Sequence, residues 1–295
     1  MPAAWIETPG AIIRLHSERL EVTLPSSKGE EILPTVDLPL AEIERLTVSE
    51  QVRLTFPALC EVLRREIPLL IHDWRGAVLG AVVPPASSHA SLRVQQYSRL
   101  QDADFQTQIA RQLIQAKIRN QRRLLSRLHA TRPRDLGSAM EKMAAALHDT
   151  ERTSEIPVLR GLEGASSACY WTAWATFLPA DFPFERRSTR PPHNCVNAVL
   201  SYLSSILYGE CLAACHRRGL DPGLGILHPP ANYRWSLPLD LMEPFRAPVL
   251  EATALRLFTH RMLGPEDFEP REGGIYLAAK GRRIVAEQYD RRVQR

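Results

Sequence analysis

The chain has 295 residues, of which 44% are hydrophobic, 7% aromatic and 24% charged, and its formal net charge is +4. This composition predicts a globular protein with one or two buried cores and excludes a disordered tail. The charge is too small to indicate a nucleic-acid partner, but it is uneven: residues 1–90 carry 8 basic and 12 acidic side chains, residues 91–134 carry 10 and 2, and residues 135–295 carry 19 and 19.

The first part of the chain has the pattern of a small β-rich domain. Between residues 5 and 83, short β-branched runs such as AIIRL, LEVTL and PLLIHD alternate with turn residues, which predicts strands. Residues 57–65 have a helical period and are expected to form one helix on that sheet. Residues 84–91 are rich in Pro and Ser. We therefore predict a β-rich domain over residues 1–84 and a linker with the first helical residues over 85–104.

The rest of the chain has a helical period. It predicts a larger all-α domain over residues 105–295, and hence an α+β chain. The predicted helices cover residues 105–129, 138–149, 162–177, 196–218 and 239–262, with a surface helix or basic tail over residues 281–295. The longest uncharged stretches are interrupted by polar residues and favour buried helices over membrane spans. Five cysteines without CxxC spacing, and no secretory leader, predict a cytoplasmic protein without disulfides.

The helix predicted over residues 105–129 is amphipathic and basic, and two interpretations of it stay open. Its cationic face could follow a DNA backbone without reading bases, or it could be an ordinary solvated face. In the same way, the large excess of arginine over lysine fits either phosphate recognition or the codon bias of a GC-rich genome. The cations outside the apolar stripe are Arg111, Lys117, Arg119, Arg122, Arg123 and Arg127.

A group of acidic and imidazole side chains in the helical part could carry chemistry. Asp240 and Glu243 are i and i+3 on a predicted helix, so both carboxylates are expected to point to one side. His228 ends the apolar GILH segment, and Glu163 lies in RGLEG, within a helix otherwise poor in charge. Each acid alone is more simply a cap, a surface charge or half of an ion pair. Together they fit a site for Mg²⁺ or Mn²⁺.

Other sites are disfavoured by the sequence. Motifs for ATP, nicotinamide and structural zinc are absent: there is no GxxxxGK[ST], no GxGxxG after a strand and no paired CxxC. Cys211 and Cys215, with His216 beside them, are more simply interpreted as packing in a helical core, since a zinc site needs four donors.

Five segments, RGLEG, CVNAVLSYLSSILYGEC, RRGLDPGLGILHP, LPLDLMEPFRAPVLE and GGIYLAAKGRR, resemble in order and spacing the CRISPR-associated spacer-acquisition endonuclease and integrase family, the core protein of CRISPR adaptation. The resemblance runs from about residue 11 to the C-terminus. It implies a β-rich domain followed by a helical one. It also implies a metal-dependent enzyme of antiviral defence that inserts captured DNA fragments into a CRISPR repeat array by 3′-hydroxyl attack on a phosphodiester.

The resemblance also implies roles for individual residues. Glu163, His228 and Glu243 match the family's ligands for Mg²⁺ or Mn²⁺, and Asp240 matches a further acidic position that supports catalysis. Arg246 matches an arginine that could pair with Asp240 or face a phosphate. The implied partners are double-stranded DNA, a second copy of the chain and a dimer of a small ferredoxin-like CRISPR adaptation protein, with no membrane.

A second hypothesis stays open beside this one. The chain could be a catalytically impaired member of the family that serves as a DNA-binding scaffold, which would fit departures from the family pattern at Ala168 and Cys195.

Overall fold

The computed structural model describes residues 3–25, 34–84 and 89–294. These residues form two units: the first comprises the described residues up to Val94 together with Leu212–Asp221, and the second comprises Gln95–Cys211 and the described residues from Pro222 onward. The predicted order of a β-rich part followed by a mainly helical part is confirmed. The first unit extends beyond the predicted end at residue 84 and includes the end of a later helix. Residues 85–88 of the predicted linker lie outside the described residues.

The first unit contains two four-stranded sheets. In one sheet, with strand order β1-β5-β7-β8, β5 pairs in parallel with β1 and β7, and β8 is antiparallel to β7. In the other, with order β4-β3-β2-β6, β3 is antiparallel to both neighbours. The strands are β1 (Ala3–Ile6), β2 (Ile12–His16), β3 (Arg19–Thr23), β4 (Thr35–Pro39), β5 (Arg45–Ser49), β6 (Arg53–Leu54), β7 (Leu69–His72) and β8 (Val78–Val82).

Apolar side chains of both sheets and of α1 (Phe56–Arg64) form the core of this unit. Ile13, Leu20 and Leu46 are fully buried, as expected for the inward positions of strands whose side chains alternate between two faces. A proline at the start of α1 occupies a position whose backbone N–H has no partner within the helix, which favours initiation there. The predicted helix over residues 57–65 is therefore confirmed within one residue.

The second unit is mainly helical, and its longest helix, α3 (Ala103–Thr131), runs through the basic segment. The Asp102 side chain caps α3 by accepting a hydrogen bond from Phe105 N, and the apolar stripe of α3 buries Ile114, Ile118 and Leu125. α3 packs against α4 and α5. The helices of the second part of the chain are α2 (Ala90–Arg99), α3 (Ala103–Thr131), α4 (Gly137–Asp149), α5 (Ile156–Ala175), α6 (Cys195–Arg217), α7 (Ser236–Met242), α8 (Ala252–Thr259) and α9 (Ala279–Val293).

Three features of this part differ from the sequence expectation. The single helix predicted over residues 239–262 is instead α7, a 3₁₀ turn (Glu243–Phe245), a π-helical segment (Arg246–Glu251) and α8. Pro244 and Pro248 lack the N–H that a continuous α-helix needs, which accounts for the change of winding. α2 is a separate helix within residues 85–104, where the sequence predicted a linker with the first helical residues. The region is also not purely helical, because β9 (Phe268–Arg271) and β10 (Gly274–Leu277) form an antiparallel hairpin.

α6 is long and apolar enough, by length and composition, to cross a membrane. However, 67% of its most apolar stretch is buried inside the protein, as in the core helix of a soluble protein. This one helix is therefore only weak support for a membrane span.

Candidate metal centre

Two of the predicted acidic residues meet at one lysine. α5 carries Glu163 and the 3₁₀ turn after α7 carries Glu243, and the Lys117 ammonium of α3 lies between them. Lys117 Nζ is 2.5 Å from Glu163 Oε1 and 2.6 Å from Glu243 Oε2. Because α3 packs on both α5 and the 3₁₀ turn, segments far apart in the sequence supply one cluster of charge.

The charges in this cluster stabilise each other despite burial. Burial by itself would lower the pKa of Lys117, but Glu243 and Glu163 outweigh it and the pKa lies above its usual value. Burial would likewise raise the pKa of Glu243, but Arg246 and Lys117 outweigh it and the pKa lies below its usual value. Both groups are therefore ionised at neutral pH.

The two oxygens of Glu243 have different environments. Oε1 accepts a hydrogen bond from Arg246 Nε at 3.0 Å, which fixes the plane of the carboxylate. Oε2 is buried and, apart from its ion pair with Lys117, has no hydrogen-bond partner among the described residues. Glu163 Oε1 accepts a hydrogen bond from Ser167 Oγ, one helical turn later on α5, at 2.7 Å.

Asp240 is fully buried and organises the segment that ends at His228. Its Oδ2 accepts the backbone N–H groups of Ile226 (2.5 Å) and Leu227 (2.9 Å), and its Oδ1 accepts the backbone N–H of His228 at 2.8 Å. The same Oδ1 lies 2.7 Å from His228 Nδ1, so the ring donates from Nδ1 and leaves Nε2 as the nitrogen with a free lone pair. Asp240 and Glu243 thus do not act as one pair: they serve two different partners.

Gly225 allows this segment to fold back on itself. A Cβ at this position would come within 2.4 Å of the carbonyl oxygen of His228 and 2.8 Å of Cβ of Ser236. The close approach of the two backbone segments therefore requires glycine at residue 225.

Glu163, His228 and Glu243 have the side-chain chemistry of divalent-metal ligands. Their donor atoms do not form a closed coordination shell. The donor types expected for such a site are present: the buried Glu243 Oε2, whose partner is the Lys117 ammonium, a Glu163 oxygen that contacts the same ammonium, and an imidazole oriented by a carboxylate. When its ring is protonated, His228 is near enough to Glu243 to help lower the pKa of that carboxyl. Within residues 3–25, 34–84 and 89–294, no three His, Cys, Asp or Glu side chains are grouped closely enough to hold an ion as they stand. Lys117 supplies the positive charge between the carboxylates.

Comparison with known proteins agrees with these features. The sequence profile of the family described as CRISPR associated protein Cas1 matches residues 4–291. A CRISPR-associated endonuclease Cas1 from Thermus thermophilus is 34% identical over 96% of this chain and 84% of its own length. The chain belongs to the Cas1 family. The resemblance found in the sequence and the expected class of CRISPR-associated endonuclease are thereby confirmed.

Solved structures show the same fold. A casposase bound to its integration product superposes with a TM-score of 0.86 at 23% identity, covering 99% of this chain and 82% of that one. A Cas6-RT-Cas1–Cas2 complex contains a chain that superposes with a TM-score of 0.83 at 25% identity, over 99% of this chain and 32% of that one. The fold of this Cas1 family member is therefore shared along nearly its whole length.

The cations expected to contact DNA are found in four different settings. Arg119, Arg122, Arg123 and Arg127 line a surface depression of about 400 Å³, together with Ser126 and Met140. These four arginines make no ion pair with any residue that the structure describes. The family membership does not test their contact with DNA, which stays a prediction.

The remaining expected cations have other partners. Arg111 donates from Nη2 to the Thr153 carbonyl oxygen at 2.8 Å. Lys117 is not part of the exposed basic face, because its side chain is buried between two carboxylates. Arg246 pairs with Glu243 rather than with Asp240, since both Asp240 oxygens accept hydrogen bonds from the His228 segment.

Sequence reasoning missed three charged residues within or near the site that are wholly or largely withdrawn from solvent. The sequence places Lys117 on a face that either contacts DNA or is solvated, and it does not single out Glu251 or Arg187. Burial raises the pKa of Glu251 to about 7, although the neighbouring Tyr170 hydroxyl, Lys117 and Arg246 act to lower it. Burial and the nearby Arg246 lower the pKa of Arg187 to about 10. The only local signal for Glu251 is its position at the end of an otherwise apolar helical stripe.

The alternative of an impaired scaffold gains no support from the site. Glu163, His228 and Glu243 are all present, and the two glutamates lie side by side around one cation. Ala168 is exposed on α5, where its carbonyl oxygen accepts a hydrogen bond from Thr172 Oγ1.

Proposed function

We propose that this Cas1 family member is a metal-dependent DNA endonuclease and integrase of CRISPR adaptation. In this proposal it joins captured DNA fragments to a CRISPR repeat by attack of a fragment's 3′-hydroxyl on a phosphodiester. The observation that carries the proposal is the convergence of Glu163 and Glu243 on a single cation position in a member of this family.

Glu163, Glu243 Oε2 and His228 Nε2 are the groups that would hold Mg²⁺ or Mn²⁺. The bound metal would neutralise charge at the scissile phosphate and lower the pKa of an attacking hydroxyl or water. The donor set of two carboxylates and one imidazole supports either ion, because both accept oxygen and nitrogen ligands.

The remaining residues of the site orient these groups. Asp240 holds the His228 ring by its Nδ1, which leaves Nε2 as the available donor atom. Arg246 holds Glu243 by Oε1 and keeps Oε2 directed to Lys117. No side-chain nucleophile is needed, since the attacking oxygen belongs to the fragment's 3′ end in joining and to water in cleavage.

The helix surface beside Glu163 is open at two glycines. Gly161 and Gly164 flank Glu163 on α5, and a Cβ at either position would meet no described heavy atom within 4 Å apart from its chain neighbours and the backbone of its own helix. The four arginines of the depression on α3 and α4 are the cations that we propose to contact duplex phosphates.

Assembly with other proteins is part of the proposal. A Cas1-containing chain of similar fold is found in a Cas6-RT-Cas1–Cas2 complex. We propose that this chain likewise acts with a Cas2-type partner, expected to be a small ferredoxin-like dimer, and that it forms a homodimer through its β-rich part in the cytoplasm.

Strand transfer into a supercoiled plasmid carrying a CRISPR repeat tests the proposal. Joining should require Mn²⁺ or Mg²⁺ and stop when a chelator is added. Glu163→Ala, His228→Ala and Glu243→Ala should each abolish joining while duplex binding stays close to wild type. Metal-independent joining would contradict the proposed chemistry, and normal joining by one variant would remove that residue from the site.

A further inference from the structure

Lys117 has no role in the chemistry described so far, yet it occupies the centre of the carboxylate cluster. We propose that Lys117 is the internal counter-ion of the metal site, and that a divalent metal binds there by displacing the Lys117 ammonium from Glu163 and Glu243. This inference rests on the proposed metal-dependent function and adds to it a state of the site that precedes metal binding.

The first argument is the geometry of the contacts. The ammonium is 2.5 Å from one carboxylate and 2.6 Å from the other, and the Lys117 side chain is only 12% exposed. The second contact is to Glu243 Oε2, the same buried oxygen that has no hydrogen-bond partner within the described chain. One positive group thus contacts both of the oxygens that a metal would need.

The second argument concerns what can move. A lysine ammonium is a compact charge on a flexible four-carbon stem, so it can leave a site without movement of the backbone. The backbone around it is anchored: Ile114 and Ile118 are buried, and Asn120 Nδ2 donates to the Pro244 carbonyl oxygen at 2.8 Å. Asn120 therefore ties α3 to the residue that follows Glu243. Displacement would change the side chain of Lys117 and leave α3 in place.

The third argument is electrostatic. Two ionised carboxylates held close together and largely buried repel each other unless a cation lies between them. Arg246 compensates Glu243 from the Oε1 side, but no cation other than Lys117 pairs with Glu163 among the residues described. Lys117 therefore stabilises the metal-free protein, and the same stabilisation must be overcome when a metal arrives.

The proposal leads to opposite effects of one substitution on two measured quantities. Lys117→Met keeps the apolar stem and removes the charge. In the presence of a chelator, it should lower the thermal midpoint by ~5 °C or more, because the carboxylates lose their counter-ion. It should also lower the dissociation constant for Mn²⁺ by about tenfold or more, because no ammonium competes with the metal for the carboxylates. Isothermal titration calorimetry, or the electron paramagnetic resonance signal of free Mn²⁺, measures this constant.

A matched control uses the same chemical change on the surface. Lys142 is exposed on α4, and Lys142→Met should change neither the midpoint nor the Mn²⁺ affinity. A second variant, Lys117→Met with Glu163→Gln, removes one charge of each sign. In chelator, this double variant should recover most of the thermal midpoint that Lys117→Met loses. Recovery would show that the single variant is destabilised by the missing counter-ion and not by a packing defect.

The outcomes distinguish this inference from the function on which it rests. If the wild type binds Mn²⁺ and Glu243→Gln abolishes binding, the metal site stands. A Lys117→Met affinity equal to or weaker than wild type would then overturn the counter-ion role alone. An unchanged midpoint in chelator would overturn it as well, as would failure of the charge-balanced double variant to fold. If the wild type binds no Mn²⁺ but Lys117→Met still unfolds at a lower temperature, the proposed metal dependence has failed instead.

Discussion

Burial strongly affects the ionisation of Glu251, which lies close to the carboxylate cluster. It is 2% exposed, and burial raises its pKa from 4.5 to about 7. The folded protein therefore binds this proton more tightly than the unfolded chain does. The resulting stabilisation is fully present below about pH 4.5 and is lost as the pH rises through about 7.

Glu251→Gln tests this because the amide does not titrate. Between pH 5 and pH 8, the wild type should lose about 2 to 3 kcal/mol of unfolding free energy relative to Glu251→Gln. Urea unfolding of both proteins at the two pH values measures the difference. Glu141→Gln, at an exposed position on α4, is the control and should show no such trend. A difference between wild type and Glu251→Gln that is independent of pH would contradict the raised pKa.

Asp240 acts on the site through His228, so it is a positioning residue. In Asp240→Asn, the amide nitrogen cannot accept hydrogen bonds, so at least one of the buried donors that now contact Asp240 loses its acceptor. We expect a loss of about 1 to 3 kcal/mol in unfolding free energy, and a larger loss of joining than of duplex binding. Wild-type stability and activity would show that the His228 segment holds its shape without the carboxylate.

At the scale of the elements, the departure from a single helix over residues 239–262 shapes the site. α7 ends at Met242, so Asp240 faces the His228 segment while Glu243, in the 3₁₀ turn, faces Lys117. The π-helical segment that follows contains Glu251. Single-turn π-helices occur often at functional sites, and here the changes of winding separate carboxylates that a regular helix would align.

Gly225 tests how tightly the His228 segment must pack on α7. Gly225→Ala would place a methyl group 2.4 Å from the His228 carbonyl oxygen, so the backbone must shift. We expect about 1 to 3 kcal/mol of destabilisation and reduced joining. Gly161→Ala makes the same change on α5, where the methyl group would meet no described heavy atom within 4 Å beyond its chain neighbours and its own helix backbone, and should stabilise the protein by about 0.5 to 1 kcal/mol. Circular dichroism melts of the two variants should move in opposite directions.

At the scale of the whole molecule, the charge distribution leads to a prediction about DNA. Of the four arginines that line the surface depression, three are exposed: Arg119, Arg123 and Arg127. Changing all three to Glu should reduce the slope of log affinity against log salt by about 3 for a duplex, since each phosphate contact contributes about 0.9. The measurement is duplex affinity across a series of salt concentrations.

Three exposed arginines outside the depression provide the control for that experiment. Arg14, Arg53 and Arg256 changed to Glu keep the same net charge as the test variant. Their slope should stay near the wild-type value. If the test variant and the wild type have equal slopes, the arginines on the basic face of α3 are solvated and do not contact DNA phosphates.

The secondary structure, the family and the candidate metal ligands of this protein were largely determined by local sequence alone. Strand and helix types follow from apolar periods of two and 3.6 residues, and the family and its candidate ligands follow from short motifs such as RGLEG and GILHP. These signals are readable because each depends on residues close together in the chain. The end of the α-helix at Met242 was harder to predict, because the apolar period continues from α7 to α8. Only Pro244 and Pro248 indicate that the helix is interrupted between these two elements.

The role of Lys117 was decided only by the tertiary structure. On α3 it is one cation among several basic residues, and no spacing in the sequence relates it to Glu163 or Glu243. The packing of α3 against α5 and the 3₁₀ turn buries it, whereas its exposed neighbour Arg119 lines the surface depression. Local pattern specifies which elements form and which chemistry they carry. Which charges meet depends on long-range packing, because a buried ion must find its partner wherever the fold places one.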